Sequence, residues 1–118
     1  MPSYIVTPRV VLHKDDARTK EHSPDAKEYE TLHIEMHRRG YRRFFENRND
    51  KKLKLPPGEY VIDDLDAEDG ADAREKAMTK AKAAATMATS EKRFSVYITG
   101  GGGVRGTHLE MIDEDPDA

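Results

Sequence analysis

The chain has 118 residues, of which 36% are hydrophobic and 36% are charged, and its formal net charge is −3. This length favours one small domain, and the absence of cysteine excludes disulfides, thiolate nucleophiles and cysteine zinc sites. No apolar run reaches the roughly 18 residues that span a bilayer, and the first residues lack a signal-peptide pattern. We therefore expect a cytoplasmic protein that has no membrane partner.

The first predicted elements are a strand and a helix. The β-branched residues of Ser3–Leu12 predict a strand, in which Pro8 marks a bulge or an edge position because proline cannot donate to a ladder. Ser23 as N-cap and Pro24 at the first helical position predict the start of a helix, and Gly40 predicts its end. Five residues share about one third of the helix circumference and form the predicted buried stripe: Ala26, Tyr29, Leu32, His33 and Met36.

The middle of the chain predicts two more strands. Aromatic and basic residues over 41–47 indicate a short strand, residues 48–54 indicate a polar loop, and residues 59–64 indicate a second strand. The two strands are close enough in sequence to form a hairpin.

An acidic linker leads to the second predicted helix. Asp72, with Glu75 three residues later, predicts its start, and the helix is expected to run to about Thr89. Residues 93–99 predict the last long strand, residues 99–106 a glycine-rich turn, and residues 106–112 a short fifth strand. A stripe of small side chains would let this helix lie close to a sheet: Ala73, Ala77, Ala81, Ala84 and Ala88.

The order of these elements predicts an α+β fold of the ferredoxin-like type, β-α-β-β-α-β. We expect one antiparallel four-stranded sheet with two helices on one face, in a single domain over residues 1–112 that is followed by an acidic disordered tail over 113–118. Such a sheet leaves its other face open. An open apolar face favours a homodimer.

Two histidines lie four residues apart on the first predicted helix. His33 and His37 could share one face and bind a metal, but Ile34 stands where a zinc-protease helix carries its glutamate. The position of His33 on the apolar stripe favours a structural role at the edge of the core. We therefore predict no metal, with His33 and His37 as the alternative candidates.

Basic residues are concentrated between positions 37 and 54. Guanidinium groups match phosphate oxygens, and Tyr41, Phe44 and Phe45 could stack on unpaired bases. The alternative is an ordinary solvated surface. We predict seven nucleic-acid contacts in this region: Arg38, Arg39, Arg42, Arg43, Arg48, Lys51 and Lys52.

Acidic residues form separate groups. Asp15 and Asp16 follow the first strand and are the candidate catalytic residues, because paired carboxylates can hold Mg²⁺. The acids at 63–69 and in the tail could bind a basic partner, although solubility is their commoner role.

The segment MHRRGYRRFFENRNDKKLKLPPGEYVIDD resembles part of the small ferredoxin-fold family that includes the GhoS-type antitoxin endoribonuclease and the CRISPR-adaptation nuclease fold. The resemblance implies a homodimer that acts on RNA or DNA. In the CRISPR-adaptation fold a carboxylate at the end of the first strand binds the metal. Asp15 or Asp16 would have to serve here, and both lie several residues late.

Together, the sequence and the resemblance predict a small dimeric RNA-binding protein of toxin-antitoxin or phage-related type, with endoribonuclease activity as an open question. Mg²⁺ is the expected cofactor if the protein is a nuclease, and otherwise none is expected. The alternative is a non-catalytic inhibitor or adaptor that binds another protein through its acidic surfaces.

Overall fold

The computed structural model describes residues 3–100 and 111–117, which form six strands, two α-helices and one 3-10 turn. The glycine-rich turn predicted over 99–106 and the start of the predicted fifth strand lie largely outside these residues. In chain order the elements are β1 (Ser3–Leu12), α1 (Lys27–Arg38), β2 (Phe44–Glu46), β3 (Lys52–Lys54), β4 (Ile62–Asp66), α2 (Gly70–Ala88), the 3-10 turn (Glu91–Arg93), β5 (Phe94–Gly100) and β6 (Met111–Ile112).

The larger sheet is antiparallel and has the order β4-β1-β5. Strand β1 has the predicted bounds and lies in the centre, where it pairs with β5 from Val6 opposite Gly100 to Leu12 opposite Phe94. The prediction for Pro8 was wrong, because Pro8 lies inside this central strand and the irregular register falls between Tyr4 and Val6. The carbonyl of Pro8 accepts a hydrogen bond from the amide of Tyr60. The nitrogen of Pro8, which has no hydrogen to donate, faces the same side of β1, where the strand pairing is not continuous.

Both helices cover one face of this sheet and enclose the core. Alternate residues of β1, namely Val6, Val10 and Leu12, are fully buried there with Leu32 and Met36 of α1. Burial confirms four of the five alanines of the predicted stripe of α2, whereas Ala88 is half-buried. The four alanines that have no exposed surface are Ala73, Ala77, Ala81 and Ala84. No helix in residues 3–100 and 111–117 is long and apolar enough to cross a membrane.

The helix ends differ from the prediction at their starts. Ser23 does not cap α1, which begins at Lys27 after a turn in which the Ala26 amide donates to the Ser23 carbonyl. The N-cap of α2 is Asp69, whose side chain accepts from the amide of Asp72. At the other end of α1, Gly40 adopts a φ of +96°, the left-handed conformation predicted for a residue that ends a helix.

The prediction of one four-stranded sheet was wrong. Strands β2, β3 and β6 form a second, separate three-stranded antiparallel sheet with the order β2-β3-β6, and β3 lies within the predicted polar loop. Only an isolated bridge between Arg42 and Val61 connects the described residues of this segment to the start of β4. The ferredoxin-like arrangement is therefore not the architecture of this chain.

Turn chemistry explains why this segment leaves the larger sheet. The side chain of Asn47 accepts hydrogen bonds from the amides of Asn49 and Lys51, and Asp50 adopts a φ of +59°. Asparagine and aspartate tolerate such turns well. The chain therefore folds back on itself, so that the backbone groups of Phe44–Glu46 pair with Lys52–Lys54.

Candidate nucleic-acid interface

The predicted nucleic-acid contacts lie along three consecutive pieces of the fold. Arg38 and Arg39 end helix α1, Arg42 and Arg43 lie between Gly40 and β2, and the remaining three lie on the β2–β3 hairpin. Gly40, in the left-handed conformation, lies between the first two pieces, and Arg42 lines the same cleft as Phe44 and Phe45 of β2.

Arg38 and Arg39 are paired with a buried glutamate from their own helix. A guanidinium nitrogen of Arg39 lies 2.8 Å from one carboxylate oxygen of Glu35, and Arg38 lies 3.1 Å from the other. The hydrogen bond from Arg39 is the largest influence on the pKa of Glu35 and holds it below its usual value. Glu35 therefore neutralises part of the positive charge at this helix end.

Arg42, Arg43 and His37 contact the acidic tail. The guanidinium of Arg43 donates to both carboxylate oxygens of Asp117, at 2.7 and 2.6 Å. Asp115 lies 3.3 Å from Arg42 and 2.9 Å from the Nε2 atom of His37. We call these five residues the tail-contact site; they include two carboxylates from the segment 113–118 that is predicted to be a disordered tail.

The contact between Arg43 and Asp117 is the part of the tail-contact site that is most shielded from solvent. Only 18% of the Arg43 side chain and 11% of the Asp117 side chain are exposed. Burial raises the pKa of Asp115, but hydrogen bonds from the Asp117 amide and from His37 outweigh it, so this pKa lies below its usual value. The hydrogen bond with Asp117 raises the pKa of Arg43. The Asp115 carboxylate and the Arg43 guanidinium are thus both held in the charged form.

The hairpin presents the more exposed cations. Arg48 and Lys51 are exposed, and among residues 3–100 and 111–117 no carboxylate lies within ion-pair distance of either. Lys52 lies 3.7 Å from Glu46 and 5.6 Å from the centre of the Phe44 ring, so it is engaged within the hairpin itself.

A cleft of about 420 Å³ separates the hairpin from the larger sheet. Half-buried Phe44 and Phe45 contribute apolar surface to it, and Arg42 contributes a guanidinium group. The remaining lining residues are Ile5, Gly40, Glu46, Val61 and Asp63. Two aromatic rings, one guanidinium group and the carboxylates of Glu46 and Asp63 therefore meet at one opening beside the hairpin.

The two histidines of α1 have separate partners and do not form a metal site with a third ligand. The Nδ1 atom of His33 lies 2.7 Å from the hydroxyl of Tyr60 at the edge of the core. Burial, followed by the positive charge of Arg43, lowers the pKa of His33 to about 4, so its ring is neutral at physiological pH. In the part of the chain that the structure describes, no group of three metal-binding side chains exists.

Asp15 and Asp16 have local structural partners at the end of β1. Asp15 accepts from the amides of Thr19 and Lys20 and from the Thr19 hydroxyl, which closes the loop after the strand. The carboxylate of Asp16 lies 2.9 Å from Arg93, directly before β5. This side of the larger sheet is opposite to the side on which the hairpin joins β4, so these carboxylates are not combined with the basic residues.

Several residues of the site were missed from the sequence. The spacing of Glu35 to Arg38 and Arg39, three and four positions along a helix, is a signal that could have identified their pairing. The partnership of Arg43 and Asp117 spans 74 residues, and only the opposite charges of the two segments pointed to it.

No family model, curated protein or solved structure matches this chain. The resemblance to GhoS-type and CRISPR-adaptation proteins therefore stays a prediction.

Proposed function

We propose that this chain is a small RNA-binding protein whose binding surface is the β2–β3 hairpin and the adjacent cleft. The observation that carries the proposal is a hairpin with exposed Arg48 and Lys51 at its turn, whose strand β2 supplies Phe44 and Phe45 to a cleft that Arg42 also lines. Cations that lack carboxylate partners are available to phosphates, whereas paired cations must first lose a partner.

The shape of this surface favours single-stranded nucleic acid. Single strands bind to grooves that combine positive charge along the backbone with aromatic side chains on which bases stack. The cleft between the hairpin and the larger sheet offers two half-buried phenylalanine rings, and the exposed cations lie at the tip of the same hairpin. RNA-specific recognition would come from contacts to unpaired bases and 2′-hydroxyls.

The test measures the binding of a labelled single-stranded RNA of about 12 nucleotides. Fluorescence anisotropy is the readout, and the salt concentration is about 50 or about 200 mM. We expect affinity to fall with salt, and Arg48→Ala with Lys51→Ala to weaken binding and to lower the salt slope by about 2, one unit for each lost phosphate contact.

The matched control is Lys82→Ala with Lys92→Ala, which removes the same charge from exposed positions on α2 and the 3-10 turn. This control should bind like the wild type. Equal loss of affinity in both variants, or binding that does not respond to salt, would contradict a specific basic surface.

RNA cleavage and dimer formation are finer parts of the proposal. Cleavage is measured in the same samples with and without Mg²⁺, and cutting that survives Asp15→Asn and Asp16→Asn would exclude those carboxylates as catalytic groups.

The sheet face opposite the helices carries Tyr97, which is 69% exposed and lies opposite Arg9 in the ladder. A homodimer through this face predicts twice the monomer mass by light scattering, which Tyr97→Asp should reduce.

A second candidate function is capture of a basic protein through the acids of β4. Asp63, Asp64 and Asp66 are exposed on a strand at the edge of the described sheet. Asp115 and Asp117 of the tail, in contrast, are already paired with arginines of the same chain. A chain that binds no RNA but retains a basic peptide, and loses it on Asp63→Asn with Asp64→Asn, would favour this function.

A further inference from the structure

We propose that Asp115 and Asp117 occupy the positions that two phosphate groups take at Arg42 and Arg43, so that RNA binding must displace the acidic tail. This inference depends on the RNA-binding function proposed above and adds a regulatory element to it. The tail would be an internal competitor for the most enclosed part of the basic surface.

The contact between Arg43 and Asp117 has the geometry of anion recognition. Two parallel hydrogen bonds, at 2.7 and 2.6 Å, join the planar guanidinium to both oxygens of the carboxylate. Arginine binds phosphate oxygens through the same fork. A phosphate could therefore replace the Asp117 carboxylate without rearrangement of Arg43.

The neighbouring contact supplies a second anion position. The Asp115 carboxylate lies between Arg42 and His37, and its other oxygen accepts from the Asp117 amide at 2.8 Å. This short turn holds the two carboxylates side by side over two adjacent arginines. Successive phosphates of one strand likewise present two anionic groups in series.

Strand β6, directly before the tail, holds the tail near this position. Residues Met111–Ile112 pair with β3, and only four residues separate Ile112 from Asp117. A tether of this length keeps the carboxylates at a high effective concentration near the arginines, of millimolar order for a short linker. A free carboxylate of the same type would bind these arginines only weakly.

The competition predicts that the wild-type chain binds RNA more weakly than its basic surface allows. Removal of the two tail contacts should raise RNA affinity by about 5- to 150-fold, the usual range for coupling between two binding events.

The experiment compares Asp115→Asn with Asp117→Asn against the control Asp113→Asn with Glu114→Gln in the full chain. Both variants lose two negative charges, but the control pair is exposed and makes none of the described ion pairs. In the RNA anisotropy assay we expect the Asp115 and Asp117 variant to bind at least about fivefold more tightly than the control. Equal affinities would overturn the inference.

A second measurement follows the tail directly in the wild-type chain. Amide hydrogen exchange of residues 115 and 117 is recorded by NMR with increasing RNA, and separately with inorganic pyrophosphate as a simple polyanion. Displacement predicts faster exchange of these amides as the arginines become occupied, whereas unchanged exchange at saturating RNA would overturn the inference.

Failure of the inference can be distinguished from failure of the proposed function. If Arg48→Ala with Lys51→Ala weakens RNA binding but the two tail variants bind alike, the basic surface stands and the competition is wrong. If no variant binds RNA at all, both proposals are wrong. Thermal unfolding of each variant confirms that a change in affinity does not come from loss of the fold.

Discussion

The sheet of β4, β1 and β5 and the sheet of β2, β3 and β6 are both antiparallel and three-stranded, yet different interactions hold them in place. The larger sheet has seven consecutive paired positions between β1 and β5, and two helices bury one of its faces. The smaller sheet has two ladders of three and two pairs, and its strand residues are half-buried or exposed. The ion pairs of the tail-contact site lie beside the smaller sheet.

This difference separates stability from binding. Burial of apolar surface is not screened by salt and is the dominant favourable term in folding, whereas accessible ion pairs contribute little and weaken as salt increases. The larger sheet should therefore set the free energy of unfolding. The smaller sheet should be free to exchange its ionic partners without loss of the fold.

The strongest test of this comparison is a cavity under the larger sheet. Leu32 of α1 is fully buried, and Leu32→Ala should lower the free energy of unfolding by about 2–5 kcal/mol, measured by urea denaturation. The control on the same helix is Ile34→Ala, because Ile34 is 57% exposed and its truncation should change stability by about 0.5 kcal/mol or less. Similar losses in both variants would contradict a core at this position.

A second test uses His33, which contacts Tyr60 of the core and lies near Arg43 of the tail-contact site. The pKa of His33 is lowered to about 4, so folding favours the neutral ring and the unfolded chain binds the proton more readily. The contribution to stability is fully present above about pH 6.5 and is lost as the pH falls through about 4. NMR titration should place the His33 pKa near 4, and His33→Gln should flatten the decline of stability over this interval. A His33 resonance that titrates near 6.5 would refute this assignment.

The smallest expected effect lies in the tail. Asp117→Asn should change the free energy of unfolding by about 1 kcal/mol or less, because the core is retained and an amide oxygen at this position can still accept a hydrogen bond from Arg43. An increase to about 1 M salt should speed amide exchange at residues 115–117 and leave the amides of α2 unchanged. A global loss of stability in Asp117→Asn would show instead that the tail is part of the folding core.

Local signals predicted the larger half of the molecule well. The β-branched run gave the bounds of β1, Gly40 marked the end of α1, and the alanine stripe identified the buried side of α2. Each of these signals acts within one element, where backbone preference and periodicity determine the outcome.

The smaller sheet and the tail-contact site depend on interactions between elements, which sequence patterns within one element do not encode. The sequence 48–54 is too polar to suggest a strand, and β3 exists because the turn at Asn47 places it beside β2. Likewise, charge segregation indicated where opposite charges were available, but it did not determine whether Arg43 would face solvent, a phosphate or Asp117.

The separation between Arg43 and its carboxylate partner has a consequence for synthesis. The two residues are 74 positions apart, so at about 5–20 residues per second a ribosome completes Asp117 about 4–15 s after Arg43. During this interval the nascent chain displays arginines that its own carboxylates do not yet neutralise, next to ribosomal RNA. Because Arg43 is translated before Asp117, the nascent chain has a more cationic surface than the completed protein.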